Sequence, residues 1–140
     1  MIQVCCAVII ESRAGQPTVL VCQRSSVMRL PLKWEFPGGK LEPLETLEAC
    51  LKRELQEELG IQVEVLAPLA PVIHDYGSGS IQLNAFMCRI VAGAVQLTEH
   101  KRYCWQPLPL LLTLDLAEAD IPIVHQLLKH EGRSSIHGAL

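Results

Sequence analysis

The sequence predicts an α/β protein, a mixed β-sheet held between helices in an α/β/α sandwich. Three observations predict it. Short runs rich in Val, Ile and Cys recur along the chain, as at residues 3–10 and 18–24. A stretch at 44–59 contains neither Gly nor Pro and is built from Leu, Glu, Lys, Arg, Ala and Gln, the good helix formers. A second amphipathic stretch opens at Asp120-Ile121-Pro122 near the other end. Strands interleaved with two such helices bury their apolar faces best in layers.

The elements follow in order. Residues 3–10 read as a buried central strand and 11–17, with Gly15 and Pro17, as a loop. Residues 18–24 alternate and pair with the first strand as a hairpin, which Arg24 ends. The loop 25–33 carries apolar Val27, Met28 and Leu30, the composition of a flap. Trp34-Glu35-Phe36 is a short strand delivering the Pro37-Gly38-Gly39 turn. The helix of 44–59 stops at Gly60, which adopts the left-handed cap conformation most cheaply. A strand at 62–69 comes next, then a hairpin of 72–76 and 80–90 about Gly77-Ser78-Gly79. Residues 91–97 form a loop, 102–106 a last strand and 107–114 a short helix or turn. Asp120 suits the N-cap of the final helix, with Pro122 in its first turn and an end near Lys129. One domain over 1–131 and a flexible tail at 132–140 are expected.

The middle helix carries the chemistry. At 3.6 residues per turn, Leu47, Leu51 and Leu55 form one apolar stripe. With Leu51 at zero, Glu58 falls at roughly −20°, Glu54 near −60° and Glu57 near −120°. Taken alone, Glu57 reads as part of a solvated acidic face. Glu58 does not, because a carboxylate among leucines loses its water, and an unpaired buried charge is very costly. The three carboxylates repel one another and lie near the helix C-terminus, where the dipole disfavours anions. Arg53 offsets part of this. A divalent cation that prefers oxygen, Mg²⁺ or Mn²⁺, offsets the rest. Carboxylates that hold such an ion beside a Gly-rich turn point to a phosphate-bearing substrate.

The pattern Gly39-x5-Glu45-x7-Arg53-Glu54-Leu55-x-Glu57-Glu58-x-Gly60-Ile61 resembles the signature of the Nudix hydrolases at every fixed position. The element order around it resembles the MutT-like branch, and with it the CTP pyrophosphohydrolase group. The resemblance implies a Nudix-type α/β/α sandwich. It implies that Glu54, Glu57 and Glu58 bind metal, that Gly38 lends its carbonyl, and that Glu54 helps to activate water. By the same resemblance Glu45 and Arg53 brace the loop against the helix, and Lys40 lies near the phosphates, the other reading being an exposed turn lysine. Glu99 resembles a further carboxylate on a mobile loop, a metal ligand or general base, or else a solvated Glu. Arg24 would approach the substrate or remain a surface residue. Tyr76 would stack on the base or simply end a hairpin. Asp120 would bond the base edge or serve as the helix cap alone. If ionised, it would only accept hydrogen bonds.

The implied reaction is Mg²⁺-dependent: water attacks the β-phosphorus of a nucleoside triphosphate, giving a monophosphate and pyrophosphate. The implied substrates are an oxidised purine such as 8-oxo-dGTP, as in nucleotide-pool sanitising, or CTP or a modified dCTP. A dinucleoside polyphosphate hydrolase and a non-catalytic nucleotide-binding regulator are the alternatives. A net charge of −3 on 140 residues gives no basic footprint for a nucleic acid polymer. The N-terminal apolar run is too short to span a membrane, so the expected compartment is the cytoplasm. Monomer and homodimer both fit. Cys5, Cys6, Cys22, Cys50, Cys88 and Cys104 lack zinc or redox spacing and read as small buried hydrophobes. The five histidines show no ligand spacing and read as ordinary surface or core residues.

Overall fold

A computed structural model describes the backbone of residues 1–137 and the side chains of residues 1–130. Its strands are β1 (Ile2–Arg13), β2 (Gln16–Gln23), β3 (Trp34–Glu35), β4 (Gly38–Lys40), β5 (Gln62–Pro68), β6 (Val72–Asp75), β7 (Ser80–Ala92) and β8 (Arg102–Pro107). The helices are α1 (Leu47–Leu59) and α2 (Ile121–His137).

β1 is the hub. It runs parallel to β7 from Ile2↔Ile81 to Ile9↔Cys88. On its other edge the first half meets β4 antiparallel, with Cys5 opposite Gly39 and Cys6 opposite Gly38. Its second half forms the hairpin with β2, which carries β3 and β8 in turn. β5 and β6 complete the sheet against β7. One parallel pair in an otherwise antiparallel set makes the sheet mixed, as expected.

The period-two alternation of β1 divides the core between two faces. Cys5, Ala7 and Ile9 point toward α1 and pack with Cys50, Leu51, Leu55, Leu59 and Ile61. Cys6 and Val8 point the other way and pack with Leu111, Ile123, Val124 and Leu127. Leu51, Leu55 and Leu59 are fully buried, each stabilising the fold by about 2 kcal/mol through the area removed from water. The six thiols are free, and all but Cys104 are buried. Burial pushes the Cys88 thiol up to about 12 and raises the others too.

Several boundaries differ from the sequence reading. α1 starts at Leu47, with Thr46 accepting the Ala49 N–H at 3.1 Å. Leu44 belongs to the turn, at φ 67. Hydroxyl capping beats the helix propensity of Leu44 and Glu45, because it satisfies an orphan donor. The expected loop at 11–17 is only a tight turn at Ala14-Gly15, since β1 runs to Arg13 and β2 starts at Gln16. α2 continues past Lys129 to His137. Of the expected flexible tail, residues 138–140 lie outside the described residues. No helix among the described residues is long and apolar enough to cross a membrane.

Candidate active site

The Gly38-Gly39 turn and α1 meet because neither glycine has a side chain. A Cβ on Gly38 would lie 1.9 Å from the carbonyl oxygen of Cys5 and 2.6 Å from the Cα of Cys6. A Cβ on Gly39 would lie 2.3 Å from the carboxyl carbon of Glu54. The first glycine lets β4 lie flat on β1, and the second leaves room for a catalytic-helix carboxylate. Arg53 fastens the turn to the helix. Its Nε and Nη2 donate to the two Glu45 oxygens at 2.7 and 3.0 Å, and Nη2 also reaches the Lys40 carbonyl at 3.2 Å. The guanidinium holds the Glu45 carboxyl down at about 2.

The three helix glutamates differ in environment. Arg53 Nη1 donates to Glu54 at 2.8 Å and lies 3.4 Å from Glu57, whose side chain is 61% exposed. Glu58 faces inward, as its place in the leucine stripe predicts. Its Oε2 is buried with no hydrogen-bond partner. Burial first, then the charges of Glu54 and Glu35, push its carboxyl up to about 8, while the Gly38 N–H works the other way. Thr98 Oγ1 donates to the α1 carbonyls of Glu57 and Glu58 at 3.1 and 2.8 Å. That contact delivers Glu99 to the same end of the helix. Glu54, Glu57, Glu58, Thr98, Glu99 and His100 line one cavity of about 250 Å³.

A second cavity of about 380 Å³ adjoins it, and Glu58 and Met28 line both. Arg24, Lys40, Tyr76, Asp120 and Gly38 all line this larger space. Thus the four residues singled out for substrate contact, from four separate segments, line one cavity.

Asp120 differs from the expected N-cap. Its Oδ2 accepts the backbone N–H of Phe36 at 2.9 Å, across 84 positions of sequence, and it closes a 3-10 turn (Glu118–Asp120) ahead of α2. Its side chain therefore turns back to the sheet, where burial first, opposed by the Phe36 N–H and aided by the charge of Glu35, pushes its carboxyl up to about 8. Its depth favours the protonated form, which donates as well as accepts, over the ionised form that would only accept.

Sequence reasoning missed two participants, Glu35 and His100. Glu35 takes both an arginine and a histidine: Arg24 Nη1 donates at 2.9 and 3.0 Å, and His100 Nε2 lies 2.9 Å away. A lone charge between two aromatics in a strand, one step from the glycine turn, was the available signal for Glu35. His100, taken as an ordinary residue, is 98% shielded by its surroundings, with its side chain only 2% exposed. Lack of ligand spacing hid it, because its partner is a carboxylate 65 positions away and not a metal.

Among the described residues no three His, Cys, Asp or Glu side chains already converge as a metal cage. Arg53 holds the Glu54 carboxylate from the other side. The partnerless, desolvated oxygen of Glu58 still fits a cation, and carboxylate oxygens are the donors that hard divalent ions take.

A mixed sheet between helices, a glycine turn pinned by an arginine and a glutamate-lined helix end make a site suited to phosphate chemistry, and the relatives of the chain are hydrolases. The NUDIX domain model matches residues 1–127. The chain is 36% identical over 124 residues to the CTP pyrophosphohydrolase of Escherichia coli, covering 89% of each. It is 43% identical over 86 residues to the 8-oxo-dGTP diphosphatase of Proteus vulgaris, covering 61% of this chain and 75% of that one. Among solved structures, the Escherichia coli ORF135 protein superposes with a TM-score of 0.77 at 34% identity, covering 92% of this chain and 89% of that one. The MutT protein of Methanosarcina mazei superposes with a TM-score of 0.80 at 27% identity, covering 93% and 94%. The chain belongs to the Nudix hydrolase family, on its MutT-like branch. Nudix hydrolases generally work with a divalent metal.

Proposed function

We propose that this chain is a Mg²⁺-dependent nucleoside triphosphate pyrophosphohydrolase, releasing pyrophosphate and a nucleoside monophosphate from 8-oxo-dGTP, or from CTP or a modified dCTP. The observation that carries the reading is the Glu58 Oε2, buried and without a hydrogen-bond partner, on a residue that lines both cavities. A triphosphate laid across that junction puts its base in the larger cavity and its phosphates against the glutamates. The names of the relatives support both substrate classes, one an 8-oxo-dGTP diphosphatase and the other a CTP pyrophosphohydrolase.

Glu54, Glu57 and Glu58, with the Gly38 carbonyl and Glu99, are the residues to hold the ion. Bound there, Mg²⁺ supplies charge neutralisation on the phosphate oxygens and a more acidic water. Arg53, braced by Glu45, keeps Glu54 aimed at the turn, so that Glu54 or Glu99 can take the proton of the attacking water. Arg24 and Lys40 bring positive charge to the phosphate side of the cavity. Tyr76 offers a ring face, and Asp120 with the Phe36 backbone offers the polar groups for the base edge. Most of the rate enhancement on this reading is positioning and charge stabilisation.

A triphosphate panel tests it. Phosphate release should need both Mg²⁺ and added inorganic pyrophosphatase, because the direct product is pyrophosphate. A panel of 8-oxo-dGTP, CTP, dCTP and 5-methyl-dCTP identifies the base, and no turnover of any of them sinks the reading.

Asp120 adds a pH signature. Below about 8 its carboxyl keeps the proton and both donates and accepts, whereas above that pH it only accepts. For the preferred substrate, kcat/KM is expected to fall as pH rises through about 8. Asp120→Asn, which keeps a donor and an acceptor at every pH, should remove that limb. An unchanged profile in the variant argues against base contact by Asp120.

A further inference from the structure

We infer that Glu35 and His100 are a positioning pair that couples the nucleotide cavity to the glutamate cavity. The inference rests on the proposed roles of Arg24 and Glu99. Glu35 sits between the two spaces with its side chain 19% exposed. On one side Arg24 donates to both of its oxygens, and Arg24 lines the nucleotide cavity. On the other, His100 Nε2 approaches at 2.9 Å, and His100 lines the glutamate cavity beside Glu99. One carboxylate thus has a hand on each.

The His100 ring is anchored at both ends of its segment. Before it, Thr98 is bonded to the last carbonyls of α1. After it, the Lys101 N–H donates to the Gln23 carbonyl and Arg102 Nε donates to the Gln23 side chain. Between those anchors, Glu99 itself is exposed. The buried imidazole, bound to the half-buried Glu35 carboxylate, adds a further hold on the segment that carries Glu99. Its Nδ1 has no partner. A ring desolvated on one nitrogen is retained at a cost, which the Nε2 bond to Glu35 offsets. Glu35 also precedes Phe36, whose N–H holds Asp120, by a single residue. A shift of β3 at Glu35 reaches the base edge, the arginine and the Glu99 segment together.

His100→Ala, His100→Gln and Glu35→Gln, each alone and with Glu99→Gln, test the coupling. His100→Ala should lower kcat by about tenfold or more and raise the Mg²⁺ concentration for half-maximal rate. In a Glu99→Gln background the same change should cost almost nothing, because it acts through Glu99. His100→Gln, which keeps an N–H donor toward Glu35, should restore most of the activity. Glu35→Gln should raise KM more than it lowers kcat, through Arg24. A readout independent of turnover is hydrogen exchange in the metal-free protein. Amides 98–101 should exchange faster in His100→Ala and Glu35→Gln, and at the native rate in His100→Gln. Additive losses with Glu99→Gln, or unchanged exchange at 98–101, overturn the inference. If His100→Ala does not fold, Glu35→Gln carries both measurements. Wild-type protein that hydrolyses no triphosphate sinks the proposed function instead, and the exchange result still reports on the pair.

Discussion

Glu58→Gln is expected to lower kcat by at least about 100-fold, the cost of losing a key electrostatic group, while making the metal-free protein more stable in alkali. The two effects share a cause. Glu58 is raised from 4.5 to about 8 in the folded chain, chiefly by burial. A carboxyl with a folded pKa above its unfolded one contributes stability that is complete below the unfolded value and is lost as pH rises through the folded one. Between pH 4.5 and 8 the wild type therefore loses stability through this group. Asp120, raised to about 8, adds to the same trend. Glutamine does not ionise, so the melting temperature of the variant in chelator should exceed that of the wild type at pH 9, with the gap closing toward pH 5. Glu57→Gln makes the control. It should lose comparable activity, but its exposed side chain gives no alkaline gain. A Glu58→Gln protein that turns over normally, or melts below the wild type at pH 9, refutes the assignment.

Gly38→Ala and Gly39→Ala should separate fold from chemistry, although the residues are neighbours. The new Cβ at 38 meets backbone of β1, which has no rotamer to escape into. Overpacking of that kind costs about 1–3 kcal/mol or more, so Gly38→Ala should melt well below the wild type. The new Cβ at 39 meets only the end of the Glu54 side chain. Glu54 can swing away, so the fold should survive nearly intact. Its carboxylate would then leave the turn, and kcat should fall by about 100-fold, as for loss of an electrostatic group. Thermal melts and turnover on the same two proteins decide it. Equal stability losses at both positions would show that the Gly39 contact is not with a movable group.

What could be read from the sequence was whatever repeats locally. The glutamate spacing on α1, the Gly60 stop and the apolar run of β1 are written in neighbouring residues, so local pattern exposes them. The inward turn of Glu58 was legible for the same reason, because a 3.6-residue repeat fixes where it points. Partnerships across long separations were not. Nothing near Asp120 says that its carboxylate binds an N–H at Phe36, and the local pattern of an acid ahead of Ile-Pro argued for a cap instead. Likewise the burial of His100 depends on Glu35 arriving from a strand 65 positions earlier. The start of α1 was misjudged because propensity at Leu44 and Glu45 lost to a single hydroxyl at Thr46.

The parallel pairing of β1 with β7 has a consequence for how the chain is made. On the ribosome β1 first gains β2 and β4, which pair with its other edge. Its proper neighbour on one edge, beginning at Ile81 opposite Ile2, is synthesised some eighty residues later. Until then that edge stands bare, a template for any stray strand. Closing so wide a loop is slow, so nascent or truncated products ending before β7 should be the species that clump. The completed enzyme has its vulnerable edge covered as soon as that strand docks.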